Sequence, residues 1–501
     1  MPSSDTTTSL TSTAPPCAHS KPHATRPRLA SMRISSNSAM GDQGTESGLL
    51  GALPSEWMAE RLGNIGHFLR GGGGSKQDEV DDGLPCVRYG DLYTHHDGRV
   101  TDTRSRIDPD RTSSYTALHY GDLLFAGSGE TADDIGRSAV NLMRERAYCG
   151  GDVIILRPAI EINSSFLGHA ADSALSRIQK SRMGRGSTVI HIYAEQLRNM
   201  VIPMPPLEEQ RRIAEVLDSF DDAIRASERV IAKRRQVRAG LAQELLDAVP
   251  DGSTPGSLEP SQEHPHAESP RGTARIRVQS NPNPAQQSPV SRGASMDSAI
   301  AEWRQECLGD HAQIRARIGW RGLSASEYVD SGPFLIAGKH IESGAVDWAR
   351  CDHLTVDRYR ESPEIALRIG DVIVSKDGTI GRTARIDALP GPATLNGTMM
   401  LVRPSPSLDY RYLSHLLTGT VFRRLVDERV SGSSIPHLFQ RDLVSLPISV
   451  PPLEEQRRIA EILDTSDNAI RVEQAGQAKL WQLRTGLAED LLSGRIRTVA
   501  A

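Results

Sequence analysis

One stretch of this chain occurs twice, and any fold it adopts has to accommodate both copies. Pro205-Pro206-Leu207-Glu208-Glu209-Gln210-Arg211-Arg212-Ile213-Ala214-Glu215 returns letter for letter at Pro451 to Glu461. The offset of 246 residues holds without a gap from Gly186 to Leu246, pairing Gly186-Ser187-Thr188 with Gly432-Ser433-Ser434 and His191 with His437. A period this long is one module used twice, not a solenoid repeat.

Each copy reads as a helix start. The two prolines stand where the first turn has no use for backbone N–H groups, and the two glutamates put negative charge at the positive end of the helix dipole. Apolar residues then step by four and three: Ile213, Leu217, Phe220, Ile224 and, past a polar Ser227, Ile231. The second copy gives Ile459, Leu463, Ser466, Ile470, then Leu480, Leu487 and Leu491. That spacing predicts the seam of a two-helix coiled coil. Arg234 and Glu473 fall on the seam, so neither helix is expected to stand alone. Each spans roughly 40 residues, or about 60 Å at 1.5 Å per residue, which suits a spacer.

A chain of 501 residues has room for three or four domains. It contains no apolar run near the ~20 residues of a membrane span and no visible signal peptide. Five scattered cysteines with no Cys-x-x-Cys pair support neither a disulfide framework nor a zinc site, and the expected compartment is the cytoplasm. With a net charge of −5, contact with nucleic acid has to come from local basic patches.

Residues 1–48 are polar and read as a disordered extension, with Met40 as an alternative start. Residues 49–205 form a first globular unit with strands around Leu84–Arg88, Gly121–Phe125 and Asp152–Leu156. A first spacer helix covers 206–247, and the Pro/Ser/Gln-rich stretch 248–297 reads as a disordered linker. A second unit, 298–451, carries strands at Pro333–Ala337, Gly370–Val374 and Met399–Val402, and a second spacer helix covers 452–497. The two units share landmarks more loosely than the helices do: Gly83/Pro85 with Gly332-Pro333, Gly121-Asp122 with Gly370-Asp371, and Ile135-Gly136-Arg137 with Ile380-Gly381-Arg382. Alike rods and unlike heads fit a common partner met twice and two different things read.

The duplicated Pro-Pro-Leu-Glu-Glu-Gln-Arg-Arg-Ile-Ala stretches, each preceded by Gly-Ser-(Ser/Thr)-(Ile/Val)-x-His, resemble the specificity subunit of type I restriction–modification systems. The Gly-Asp strand and Gly378-Thr379-Ile380-Gly381-Arg382 add to the likeness, which covers roughly 53–247 and 300–497. The resemblance implies an α+β fold: two mixed α/β target recognition domains, each followed by a long helix, the helices packing as an antiparallel coiled coil. It implies a non-catalytic subunit that binds double-stranded DNA at a bipartite, asymmetric site. Two methyltransferase subunits dock on the helices and restriction subunits join them. S-adenosylmethionine, ATP and Mg2+ belong to those partners, and none is expected on this chain. The 50-residue linker and N-terminal extension depart from the family pattern and leave open a fusion of two half-subunits at Met296.

Candidate DNA contacts are Lys376, Thr379 and Arg382 in a glycine-punctuated loop, and Ser433, Ser434 and His437 with their twins Ser187, Thr188 and His191. Arg137, Arg182 and Arg185 complete the set, and Arg423, Arg424 and Arg429 make a further basic cluster. On the rods, Glu208, Glu209, Arg211 and Arg212 and their copies Glu454, Glu455, Arg457 and Arg458 read as exposed charges. Their identity in two copies points to a shared docking partner. Phe125-Ala126-Gly127-Ser128-Gly129 matches a loose S-adenosylmethionine loop, which keeps a self-contained methyltransferase as an alternative, though no Asn/Asp-Pro-Pro-(Tyr/Phe) loop follows; Asn281 to Pro284 falls in the linker. A coiled-coil scaffold without DNA binding is the other. Gly71 to Gly74 lacks the Gly-Lys-Ser/Thr ending of a phosphate loop. His95-His96 has no third ligand at metal spacing, and Asp78 to Asp82 reads as a solvated loop.

Overall fold

The computed structural model describes residues 53–74, 78–247, 303–317, 323–431 and 436–498. The expectations for residues 1–48 and 248–297, Met296 and Asn281 to Pro284 included, lie outside these, as do Ser433 and Ser434.

Two helices of 40 residues dominate, Leu207–Leu246 and Leu453–Leu492. Pro206 and Pro452 stand at their N-caps, and each proline carbonyl accepts from a glutamine N–H, Gln210 or Gln456, at 3.0 Å. A proline there forfeits no helical hydrogen bond. The second helix stops at Leu492 and does not run on to 497. Gly494 takes a left-handed φ of 74°, and Arg495 and Arg497 turn back onto Asp490 and Glu209.

The helices pack antiparallel. Arg238 Nε donates to Asp467 Oδ1 at 2.8 Å, Arg484 Nε to Asp221 Oδ1 at 2.9 Å, and Ser227 Oγ to Glu473 Oε1 at 3.1 Å. Shifted by the repeat, Asp221 becomes Asp467, Arg238 becomes Arg484, and Ser227 becomes Glu473. The two arginine pairs are therefore twofold images, and Ser227–Glu473 lies at the pseudo-axis. Along the seam Ile213, Leu217, Ile224, Ile231, Ile459, Leu463, Ile470 and Leu491 are buried, whereas Phe220, Leu480 and Leu487 are partly so. Glu473, which weakens the apolar seam, finds its hydrogen bond on Ser227.

Each head is tied shut where it meets its rod. Met58–Arg61 pairs antiparallel with Val201–Met204, and Arg304–Cys307 with Pro447–Val450. The first head has a five-stranded sheet, in the order Gly66–Arg70, Val153–Pro158, Leu123–Ala126, Ser138–Asn141 and Arg99–Val100, beside a four-stranded one. Strand alternation decides its packing: Leu123 and Phe125 face the helices, and Leu124 and Ala126 face the core shared with Val87, Leu118 and Cys149. The second head sets Ala312–Ala316, Met399–Pro404, Val372–Ser375 and Thr383–Arg385 in one sheet and Asp352–His353, Val329–Ile336 and Ala393–Leu395 in another. Parallel and antiparallel pairs mix in both heads, and no sheet among the described residues spans the two.

The rods are part of both cores. Ile213, Ala214 and Leu217 from the start of the first rod join Ala488, Leu491 and Leu492 from the end of the second in the first head. Ile459, Ala460 and Leu463 join Ala242 and Leu246 in the second. The heads thus occupy opposite ends of the rod pair, each burying one end of both rods. No helix among the described residues is long and apolar enough to cross a membrane.

The heads resemble one another more closely than their sequences suggest. The same offset that relates the rods relates Met58–Arg61 to Arg304–Cys307, Gly66–Arg70 to Ala312–Ala316, and Val153–Pro158 to Met399–Pro404. Gly121 and Gly370 hold φ of 89° and 92°, which turns Asp122 and Asp371 inward. Each buried carboxylate takes a two-pronged guanidinium, from Arg157 at 2.9 and 2.7 Å and from Arg403 at 2.7 and 2.7 Å. The Gly/Pro landmarks lie inside strands, not ahead of them. Glu79–Val87 slips register between Glu79 and Leu84, and Val329–Ile336 between Val329 and Phe334. Such a bulge absorbs the prolines, so most of the acidic run at Asp78 to Asp82 is strand and not the expected loop.

Truncating one arginine of the cross-rod pairs leaves a carboxylate without its partner, buried at Asp221 and half-buried at Asp467. Arg484→Ala and Arg238→Ala should each cost about 1–3 kcal/mol in chemical denaturation, and by similar amounts because the sites are equivalent. A loss at one site and none at the other would contradict the twofold reading.

Candidate nucleic-acid interface

Before a head can present anything to a ligand it has to be oriented on the rods, and a duplicated polar relay does this. His169, on the helix Ser164–Ala171, meets Asp218 of its own rod through Nε2 at 2.9 Å and Arg484 of the other rod through Nδ1 at 3.2 Å. His415 does the same with Asp464 at 3.0 Å and Arg238 at 3.2 Å. A guanidinium can only donate, so Nδ1 accepts and Nε2 carries the proton given to the carboxylate. Arg99 reinforces the first relay through Asp218 and Asp222, at 2.9 and 3.0 Å, and Arg385 the second through Asp464. Burial disfavours the Asp464 carboxylate, but the hydrogen bonds from His415 and Arg385 outweigh it and pull its pKa down to about 2.

Four of the predicted contact residues of the first head, Arg185, Ser187, Thr188 and His191, share one hairpin. Arg185 and His191 exchange backbone hydrogen bonds of 2.9 and 2.8 Å, and Gly186 makes the turn with φ of 129°. Ser187 and Thr188 are exposed at its tip, beside exposed Arg182 and Arg185. His191 Nδ1 is 2.8 Å from Ser128 Oγ, which anchors the ring to the adjoining strand. Arg137 is not free: its guanidinium donates to Asp97 at 3.2 Å.

In the second head His437 pairs with Asp377, bringing it to the predicted loop. Lys376 also spends its charge on Asp377, at 2.7 Å, and its side chain is only 16% exposed. Burial works against the Asp377 carboxylate, yet Lys376 and His437 together hold its pKa below the ordinary value. Thr379 and Arg382 are exposed. Gly378 and Gly381 take φ of 72° and 80°, and a Cβ on Gly381 would meet Val426 at 2.8 Å. Arg423 and Arg424 are exposed on the helix Thr420–Ser431, whereas Arg429 reaches Asp442 at 2.7 Å.

Two residues at this edge escape a motif search. Tyr193 stacks with His191 at 6.4 Å between centroids and is 57% exposed. Phe439 lies 4.4 Å from His437, is 41% exposed, and carries Arg441 over its face at 4.6 Å. The repeat itself held the signal, since it maps Tyr193 onto Phe439. The Phe125 pentapeptide is not an open loop: Phe125 and Ala126 are buried, and Ser128–Gly129 is strand paired with Ile190–His191.

On the rods the expected exposed face is smaller than the sequence implies. Glu208, Arg211, Glu454, Arg457 and Arg458 are exposed, and Arg212 and Glu455 are half-buried. Glu209 is buried, accepting from Trp57 Nε1 at 2.9 Å and from Arg497 at 2.7 and 2.9 Å. The C-terminal segment folds back on the rod start and covers it, which the heptad pattern could not reveal. Gln210 and Gln456 each bridge a rod start to the cap of a head helix, at Asn163 and Asp409. Part of the eleven-residue identity therefore serves contacts within the chain.

The family profile of the type I restriction modification DNA specificity domain matches residues 54–233 and 327–482. The chain belongs to that family. Among its relatives, the MjaX specificity subunit of Methanocaldococcus jannaschii, a putative type I restriction enzyme component, is 22% identical over 461 residues, covering 89% of this chain and 95% of the relative. The MjaVIII type I specificity subunit of the same organism is 22% identical over 318 residues, or 62% of this chain and 66% of the relative. The solved S subunit from M. genitalium shares the fold, with a TM-score of 0.54 and 14% identity over 88% of this chain and 97% of that one. Two long helices packed together join two mixed α/β domains here.

Asp464 also makes a testable pH dependence. Its folded-state pKa lies below the usual carboxylate value, so the stabilisation is intact above about pH 4 and fades as pH falls towards 2. The stability gap between the natural chain and Asp464→Asn should narrow between about pH 6 and about pH 3 in chemical denaturation. A gap that stays constant with pH would remove the relay from the account.

Proposed function

We propose that this chain is the non-catalytic, DNA-reading subunit of a type I restriction–modification complex in the cytoplasm. Each head reads one half of a split, asymmetric double-stranded site, and the paired rods fix the distance between the halves. Two methyltransferase subunits dock on the rods and restriction subunits join them. S-adenosylmethionine, ATP and Mg2+ act in those partners.

The observation that carries this reading is the placement of two unlike heads at opposite ends of one antiparallel rod pair. The equivalent edges differ in chemistry: a Ser128–His191 pair in one head, a Lys376–Asp377–His437 cluster in the other. Two such readers suit two different half-sites, and rod symmetry suits two copies of one partner. Exposed Arg182, Arg185, Arg382, Arg423 and Arg424 supply cations that a phosphate backbone requires, so binding should weaken with salt as counterions are released.

Replacing residues 53–185 by the matching segment of a relative, within the assembled complex, should change one half of the methylated site and leave the other. Mapping of methylated bases checks this; a change in both halves, or in neither, would refute the division of labour.

A further inference from the structure

We propose that His95, His96 and Asp102 of the first head bind one divalent transition-metal ion of the zinc class. His95 and His96 follow the short helix Asp91–Thr94, and Asp102 lies just past the strand Arg99–Val100. The turn between these elements supplies the third ligand that sequence spacing lacks. One ligand atom from each of the three residues lies within 4.8 Å of the others. His95 Nε2 stands 3.4 Å from Asp102 Oδ1. Two ligands at zinc bond lengths in a tetrahedral site stand about 3.3–3.4 Å apart, so the pair is already at chelating distance.

A second observation points the same way. His96 is 4% exposed and its Nε2 is buried with no hydrogen-bond partner, while His95 Nε2 makes no hydrogen bond and has only the Asp102 carboxylate opposite it. An imidazole nitrogen left unpaired in the interior is costly, and coordination would satisfy it. The other close set, His169, Asp218 and Asp221, differs on this point. Both nitrogens of His169 are engaged, and Arg484 neutralises Asp221.

Two imidazoles and one carboxylate select zinc-class ions over calcium and magnesium, which demand an oxygen shell. Three protein ligands leave one position for water. The ion acts as a clip on the turn it closes. That turn carries Asp97, which receives Arg137 at 3.2 Å, and Arg99, which grips Asp218 and Asp222 on the rod. The clip thus steadies the segment that links a candidate reading arginine to the rod. No equivalent cluster occurs among the described residues of the second head.

The test uses the full-length chain, stripped with chelator and titrated with zinc chloride by calorimetry, with thermal unfolding run in parallel. The chain has 15 histidines, so the readout is a difference between proteins. The natural chain should bind one equivalent more than Asp102→Asn or His95→Gln, and zinc should raise its Tm but not theirs. Asp102 is 75% exposed, so its variant should keep the fold, which circular dichroism verifies independently of metal. Cobalt(II) should give visible absorption bands of a nitrogen–oxygen site in the natural chain alone. Folded variants that retain the extra equivalent, or a natural chain that takes up none, would overturn the proposal.

Discussion

Everything in this architecture depends on the fact that neither rod can be stable by itself. Its apolar seam is interrupted at Ser227 and Glu473, and its ends carry apolar side chains that only a head can bury. An isolated 40-residue helix with such a seam gains too little from propensity to persist. Antiparallel pairing resolves both problems at once. The polar positions meet each other at the pseudo-axis, and each rod's far end enters the core of the opposite head. Arg238 and Arg484 then lock the pairing, each reaching across to an aspartate and to the histidine of the head that its own repeat does not contain.

The consequence for function is mechanical. A head held by two rods through an apolar core, a glutamine bridge and a histidine relay has little freedom to swing. The edges carrying Ser187, Thr188 and His191 on one side and Thr379, Arg382 and His437 on the other therefore stand in a fixed relation. Symmetry weakens at the surface of the heads. Their main sheets, buried Asp–Arg pairs and bulges correspond, as do His191 and His437, while the partners of those histidines, Ser128 in one head and Asp377 with Lys376 in the other, do not. Such a division lets the scaffold stay constant while the chemistry that selects a ligand changes.

The rods were legible in the sequence because two local signals coincide there, a period of about 3.5 and a letter-for-letter repeat. Strands such as Leu123–Ala126 and Val372–Ser375 were visible as short apolar runs, but their order in the sheets was not, since pairing partners lie far apart in sequence. The relay escaped for the same reason: His169, Asp218 and Arg484 come together only once the rods cross. A trace of it was present, however. Arg234 and Arg235 of the first rod become Leu480 and Trp481 in the second, yet Arg238 and Arg484 agree, as do His169 and His415. Exposure was the least readable property. Glu209 looks like a surface charge in any helical projection, and only the returning segment with Arg497 buries it. Lys376 looks like a free cation, and only the strand-to-loop geometry turns it onto Asp377.

The rods, and not the segment between residues 247 and 303, set the separation of the heads. The most direct measurement is the electron–electron distance between spin labels on Tyr120→Cys and Ile369→Cys, equivalent exposed sites on the two heads, with Cys17 and Cys307 replaced by serine. The chain is measured intact and again after cleavage at a protease site introduced between 248 and 297. One narrow distance distribution is expected, unchanged by cleavage, with the two halves still associated. A broad distribution, or one that shifts or vanishes on cleavage, would contradict it.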